Sequence, residues 1–138
     1  MNPDDFLYEY AVVRYVPRVD REEFVNIGLI MMCKRRRWLK GLVEFCAPRI
    51  VAFDPHVDLD SLERQTLVFM DDSIPSRDIP VEEKYRWLAA VKSAVIQVSP
   101  SHPGIVRVEG EPGREEALKI LEGEFRRLFE ELVKISPS

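Results

Sequence analysis

The sequence predicts an α+β fold: an antiparallel sheet, built from a three-strand meander plus a fourth strand, with helices packed on one face. Three observations carry this reading. Apolar, β-branched runs of strand length crowd the first third of the chain, separated by short charged turns. Two stretches further on, 58–70 and 81–91, return to helical spacing of their apolar residues. The end of the chain carries a long amphipathic stripe that is the clearest element of all. At 138 residues the chain is one domain by length, spanning 1–138, with enough material for a real core.

Residues 7–16 and 24–33 read as strands joined by a turn at Pro17, Arg18, Val19 and Asp20. Pro17 ends the first strand because it has no ladder donor. A third strand, Trp38 to Cys46, follows the basic turn Lys34-Arg35-Arg36-Arg37. With that turn centred near Arg35, Val25, Ile27, Leu29 and Met31 share an apolar face with Leu39, Val43 and Phe45. Asn26 then lies opposite Glu44, and Gly28 opposite Leu42, on a more polar face. Pro48 to Pro55 reads as irregular. Asp58 or Asp60 opens a helix to about Met70, and Asp60-Ser61-Leu62-Glu63 has capping-box spacing. Its inner stripe is Leu59, Leu62, Thr66 and Phe69.

The stretch 71–80 is a loop, and Val81 to Val91 is a helix with Val81, Tyr85, Leu88 and Val91 inward. Ala94 to Val98 forms the fourth strand, Ser99 to Gly104 is turn chemistry, and Ile105 to Val108 is a short strand-like extension. The last helix starts at Pro112, which suits a first turn. It buries Leu118, Leu121, Phe125, Leu128, Phe129 and Leu132, while Glu115/Lys119, Glu122/Arg126 and Glu130/Lys134 pair at i,i+4 on its wet face.

Hydrophobic content of 46% and charged content of 32% are those of an ordinary soluble domain. A net charge of −4 argues against a general nucleic-acid binder. No apolar run approaches the roughly 18 residues that span a bilayer, and the N-terminus lacks an export signal, so the expected location is cytoplasmic. Cys33 and Cys46 fall within predicted strands and are expected to be two buried thiols rather than a disulfide.

Phosphate-loop, dinucleotide and nucleophile-elbow signatures are absent, as is any C-x-x-C pair. No cofactor and no metal is expected; His102, Asp54 and Asp58 have the spacing of no known ligand set. Lys34, Arg35, Arg36 and Arg37, with Lys40 nearby, could grip phosphates at a hairpin tip, with Trp38 as a stacking platform. The plainer reading is a polar turn before a packed strand. Arg14, Glu23, Asn26 and Glu44 on one face could serve general acid–base chemistry. A structural network bridged by Arg14 is the preferred reading. Gly28 leaves backbone room or marks a bulge. Ser99, His102 and Gly104 read as a capped turn rather than a nucleophile–base pair. Arg49 and Asp54, beside Pro55, read as a loop ion pair. If a catalytic site exists, its candidates are Arg14, Glu23, Asn26, Asp54 and His102.

Tyr10-x-Val12-Val13-Arg14-Tyr15-Val16-Pro17, followed by Glu23-Phe24-Val25-Asn26-Ile27-Gly28, resembles the opening of the bacterial family known as domain of unknown function 3037. Arg49-Ile-Val-Ala-Phe-Asp54-Pro55 and Ser93-Ala-Val-Ile-Gln97-Val-Ser99-Pro100-Ser-His102-Pro-Gly104 resemble its later motifs. Arg18 and Glu22 depart from the acidic residue and glycine that the family often has there. The resemblance implies no set activity. It does imply a small stand-alone bacterial protein encoded beside a kinase-like protein of the toxin-kinase type. A protein partner is therefore the leading expectation, ahead of an enzyme or small-ligand binder and of a nucleic-acid module.

Overall fold

Strands β1 (Phe6–Tyr15) and β2 (Val25–Cys33) are the two apolar runs on either side of Pro17, and β3 (Trp38–Val43) completes the meander. The computed structural model describes residues 5–44, 46–69, 79–90 and 93–134. Among these, β4 (Ile96–Val98) and β5 (His102–Val106) both pair with the free edge of β1, giving one open antiparallel sheet in the order β3-β2-β1-β4 with β5 beside β4's track. The helices are α1 (Ala47–Phe53), α2 (Leu59–Thr66), α3 (Val81–Ala89) and α4 (Arg114–Leu132). The α+β class and the antiparallel sheet are as the sequence predicts.

The helices, however, cover both faces rather than one. Along β1 both parities are apolar, as in a strand buried on two sides. Phe6, Tyr8 and Val12 pack with Leu29, Met31, Trp38 and the inner stripe of α4. Ala11, Val13 and Tyr15 pack with Ile30, Met32, Ile50 of α1, Leu62 of α2 and Leu88 of α3.

The hairpin register differs from expectation by one residue. Gly28 pairs with Val43 and Cys33 with Trp38, because the turn takes all four residues 34–37, with Arg37 at φ +50°. A second irregularity lies on the other side of β2. Val13 pairs with Gly28 but Arg14 with Asn26, so Ile27 is an extra residue, a β-bulge. The bulge reverses the inward parity. Val25 and Ile27 join the α1–α3 core while Leu29 and Met31 face α4, so the four do not share one face. Gly28 is required there: a Cβ would sit 2.7 Å from Leu42 O and 2.7 Å from Val43 Cγ2.

Helix α1 occupies the stretch read as irregular, since Pro48 falls in its first turn, where no backbone donor is needed. Helix α2 starts from Asp58, whose carboxylate accepts from Ser61 N–H at 3.1 Å; Asp60 lies inside its first turn. The expected helix end at Met70, most of the 71–80 loop, the strand residue Phe45 and the helix residue Val91 lie outside the described residues. Strand β5 includes His102, Pro103 and Gly104, which read as turn. Pro103 is tolerated because β5 is an edge strand.

Between Val13↔Val98 and Tyr10↔His102 the ladder steps by one residue, and Ser99 repairs the step. Its N–H donates to Val12 O and its Oγ accepts from Val12 N–H, both at 2.9 Å. In α4, Ala117 is buried in place of Leu118, which is 41% exposed. The helix's ion pairs also differ from the i,i+4 reading: Glu122 pairs with Lys40 at 2.7 Å, and Arg127 with Glu124 at 2.8 Å. Both cysteines are free, and Cys33 is buried as expected; Cys46 is instead exposed, because β3 ends at Val43 and Cys46 is the N-cap of α1 rather than a strand residue.

Candidate functional site

A cleft of about 250 Å³ opens where α4 ends against the bulged part of β2. Asn26, Glu44, Cys46, Arg49 and Lys134 supply its polar lining. The last turn of a helix leaves carbonyls without intrahelical donors, at the negative end of the macrodipole. Two motif residues meet this need. Asn26 Nδ2 donates to Leu132 O at 2.9 Å, and Arg49 Nη1 donates to Val133 O at 3.1 Å. Lys134 and Glu44 approach to 3.7 Å at the rim. The bulge is what turns Asn26 toward α4; without it the side chain would point into the opposite core.

Arg14 lies directly across the strand pair from Asn26. Its guanidinium stacks 4.1 Å from the centroid of the Phe24 ring. Arg14 Nε and Asn26 Oδ1 are both buried without a hydrogen-bond partner among the described residues, one donor and one acceptor on the same face. Glu44 is not opposite Asn26, but it shares the cleft. Glu23 lies apart, paired with Arg21 at 2.8 Å on the exposed turn. The expected network bridged by Arg14 is therefore not formed.

Asp54 belongs to the other face. It accepts from Tyr15 OH at 2.6 Å and from His56 N–H at 3.1 Å. Burial, and then the Asp54 carboxylate, push the Tyr15 phenol above its ordinary pKa. Arg49 reaches α4 rather than Asp54. His102 sits on the edge strand with its ring 5.4 Å from that of Tyr10. Since His102 pairs with Tyr10 and Asn26 with Arg14, four strand residues, about 13 Å, separate them. The five candidates thus do not gather around one reacting centre. Gly104 serves packing: a Cβ there would lie 2.3 Å from the Tyr8 ring, whose hydroxyl donates to Glu124 of α4.

The basic tip is dispersed. Arg36 lies over the Phe6 ring at 4.8 Å, and Lys40 engages Glu122 and the Phe125 ring. Lys34 is 4.0 Å from Glu82, and Arg35 is exposed. Trp38 is 7% exposed and edge-on to Phe125, so it is a core residue and no stacking platform. Lys34 and Arg37 instead line a separate groove with Lys84 and Arg114. Chain spacing gives no sign of which helix ends meet, so nothing in the sequence marks Lys84 and Arg114 for this groove, or Cys46 and Lys134 for the cleft. No group of three His, Cys, Asp or Glu among the described residues is placed to hold a metal ion, and no described helix is long and apolar enough to cross a membrane.

Fold and cleft define a small α+β protein in which motif residues fasten helices to a two-faced antiparallel sheet. The family model described as a protein of unknown function, DUF3037, matches residues 10–133, and the chain belongs to that family. No curated protein and no solved structure matches it.

Proposed function

We propose that this is a cytoplasmic bacterial accessory protein that binds a protein partner, a kinase-like protein of the toxin-kinase type. The observation that carries the reading is an exposed apolar side chain beside an open strand edge, at an end of one sheet face that no described helix covers. On the face that α1–α3 cover from Ala11 onward, Leu7 is 55% exposed, and its cross-strand neighbour Ile105 is only half-buried. Glu9 and Pro103, the next pair on that face, are exposed too. Beside them runs β5, which pairs with no other strand than β1 among the described residues. An exposed apolar side chain next to an open strand edge suits a partner that adds a strand or lays a helix there.

The motif chemistry supports the same reading. Asn26 and Arg49 are engaged in capping α4, Asp54 in holding Tyr15, and Ser99 in repairing the ladder. The kinase-like identity of the partner rests on the family resemblance. Affinity purification from the native host, with wild type beside Leu7→Lys, tests the proposal. Wild type should retain a kinase-like protein near one-to-one, and the variant should lose it while keeping the wild-type melting temperature. Wild type that recovers nothing above background overturns the accessory role. Undiminished capture by the variant overturns the surface.

A further inference from the structure

The geometry points to a second site, at the hairpin-tip end of the sheet, that binds small anions carrying linked phosphates. A groove of about 800 Å³ runs between the β2–β3 turn and the starts of α3 and α4. Among the described residues its charged lining is Lys34, Arg37, Lys84 and Arg114, with the carboxylate of Glu82. In a chain with a net charge of −4, four cations to one carboxylate among the described lining residues is a local reversal of sign.

The turn itself sorts its charges. Arg36 and Lys40 are drawn onto Phe6, Phe125 and Glu122, whereas Lys34 and Arg37 are turned to the groove. Arg37 holds a left-handed φ of +50°, a conformation that costs a non-glycine residue energy. Among the described residues the carboxylate nearest Lys34 is that of Glu82 at 4.0 Å, the outer limit of an ion pair, and the Lys34 side chain remains 73% exposed.

Two helix starts also border the groove, each with two acidic residues in its first turn, Glu82 and Glu83 in α3 and Glu115 and Glu116 in α4. Pro80 and Gly113 are the N-caps of α3 and α4, and neither gives its first turn a side-chain acceptor. Val81 and Glu82 of α3 and Arg114 of α4 border the groove, so both positive helix ends lie along it.

Linked phosphates fit better than a single anion or a nucleic-acid strand. The groove is within the roughly 300–1,000 Å³ of small-molecule pockets, far more than one phosphate fills. Two guanidinium groups can each take adjacent phosphate oxygens in bidentate fashion. Its apolar wall is Ile79, Pro80 and Val81, with no aromatic ring among the described lining side chains on which the bases of a single strand could stack. The ligand chemistry is thus a di- or triphosphate, free or borne on a nucleoside.

Calorimetric titration of the full chain with tripolyphosphate, inorganic phosphate, a nucleoside triphosphate and a single-stranded oligonucleotide tests this. Tripolyphosphate should bind at least about tenfold more tightly than phosphate, a difference of about 1.4 kcal/mol, and weaken as salt is raised. Equal affinity for the nucleoside triphosphate assigns the site to the phosphate chain alone, and higher affinity assigns it to nucleotides. Arg37→Ala with Arg114→Ala should weaken binding at least about tenfold without lowering the melting temperature. Glu82→Gln should tighten it. No binding of tripolyphosphate, binding indifferent to the arginine pair, or binding of the oligonucleotide alone overturns the proposal.

Discussion

Asn26 interrupts an apolar strand because the end of α4 needs a donor there. Its Nδ2 serves Leu132 O, so Asn26→Ala leaves a carbonyl unpaired at the negative helix end and should cost about 1–2 kcal/mol. Asn26→Asp sets a carboxylate against that carbonyl and should cost more than alanine does. Urea midpoints for the three proteins, at unchanged m-value, would show it; equal midpoints for the aspartate and alanine variants would contradict the capping role. The anomaly itself was legible, since a polar residue within a β-branched run stands out. Its partner was not. Leu132 lies 106 residues away, and the face Asn26 occupies depends on a bulge that no local pattern marks. Arg14 is similar: its oddity was visible, but its resting place on Phe24 was not.

At the scale of elements, the sheet depends on two irregularities, each resting on one small residue. Gly28 admits the close approach of β3 at the bulge. Gly28→Ala would drive a methyl to 2.7 Å from backbone Leu42 O, so the strands must part, at roughly 1–3 kcal/mol. Ser99→Ala leaves the buried Val12 N–H without its acceptor and should cost about 1–3 kcal/mol, whereas Ser99→Thr keeps the hydroxyl. Chemical denaturation would measure both, and amide exchange at Val12 should quicken in Ser99→Ala but not in Ser99→Thr. Three strands and the inner stripe of α4 were readable because periods of 2 and 3.6 persist over many residues. Helix α1 was hidden by Pro48, and β5 by Pro103 and Gly104, residues that also signal turns. The register slipped because tip composition does not say whether the turn is centred on Arg35 or between Arg35 and Arg36.

For the whole molecule, tyrosine hydroxyls help to tie the helix layers on both faces to the sheet, alongside the two apolar cores. Tyr8 of β1 donates to Glu124 of α4 on one face. On the other, Tyr15 of β1 donates to Asp54 at the end of α1, and Tyr85 of α3 shares a hydrogen bond with Ser101 beside β5. Burial is the largest cause holding all three phenols above the ordinary value, with Tyr85 pushed up to about 12; the carboxylates of Glu124 and Asp54 add to the shifts of Tyr8 and Tyr15. In the unfolded chain the same phenols ionise near pH 10. Below that, both states keep their protons and the stabilisation is complete. Above it, the unfolded chain sheds protons that the folded chain retains, so stability falls as pH rises through the raised values.

The acid side has the opposite sign. The Arg127 hydrogen bond holds the Glu124 carboxyl below its ordinary range, so that contribution is lost as pH falls below about 4.5. The melting temperature should therefore decline steeply beyond about pH 10, and near-ultraviolet absorbance should show the phenols of Tyr8, Tyr15 and Tyr85 ionising only as the protein unfolds. Tyr15→Phe removes one proton from this linkage and should flatten the alkaline decline, at the expense of a lower plateau near neutral pH. An alkaline limb as steep in the variant as in wild type would mean that the Tyr15–Asp54 tie contributes nothing to holding α1 on the sheet.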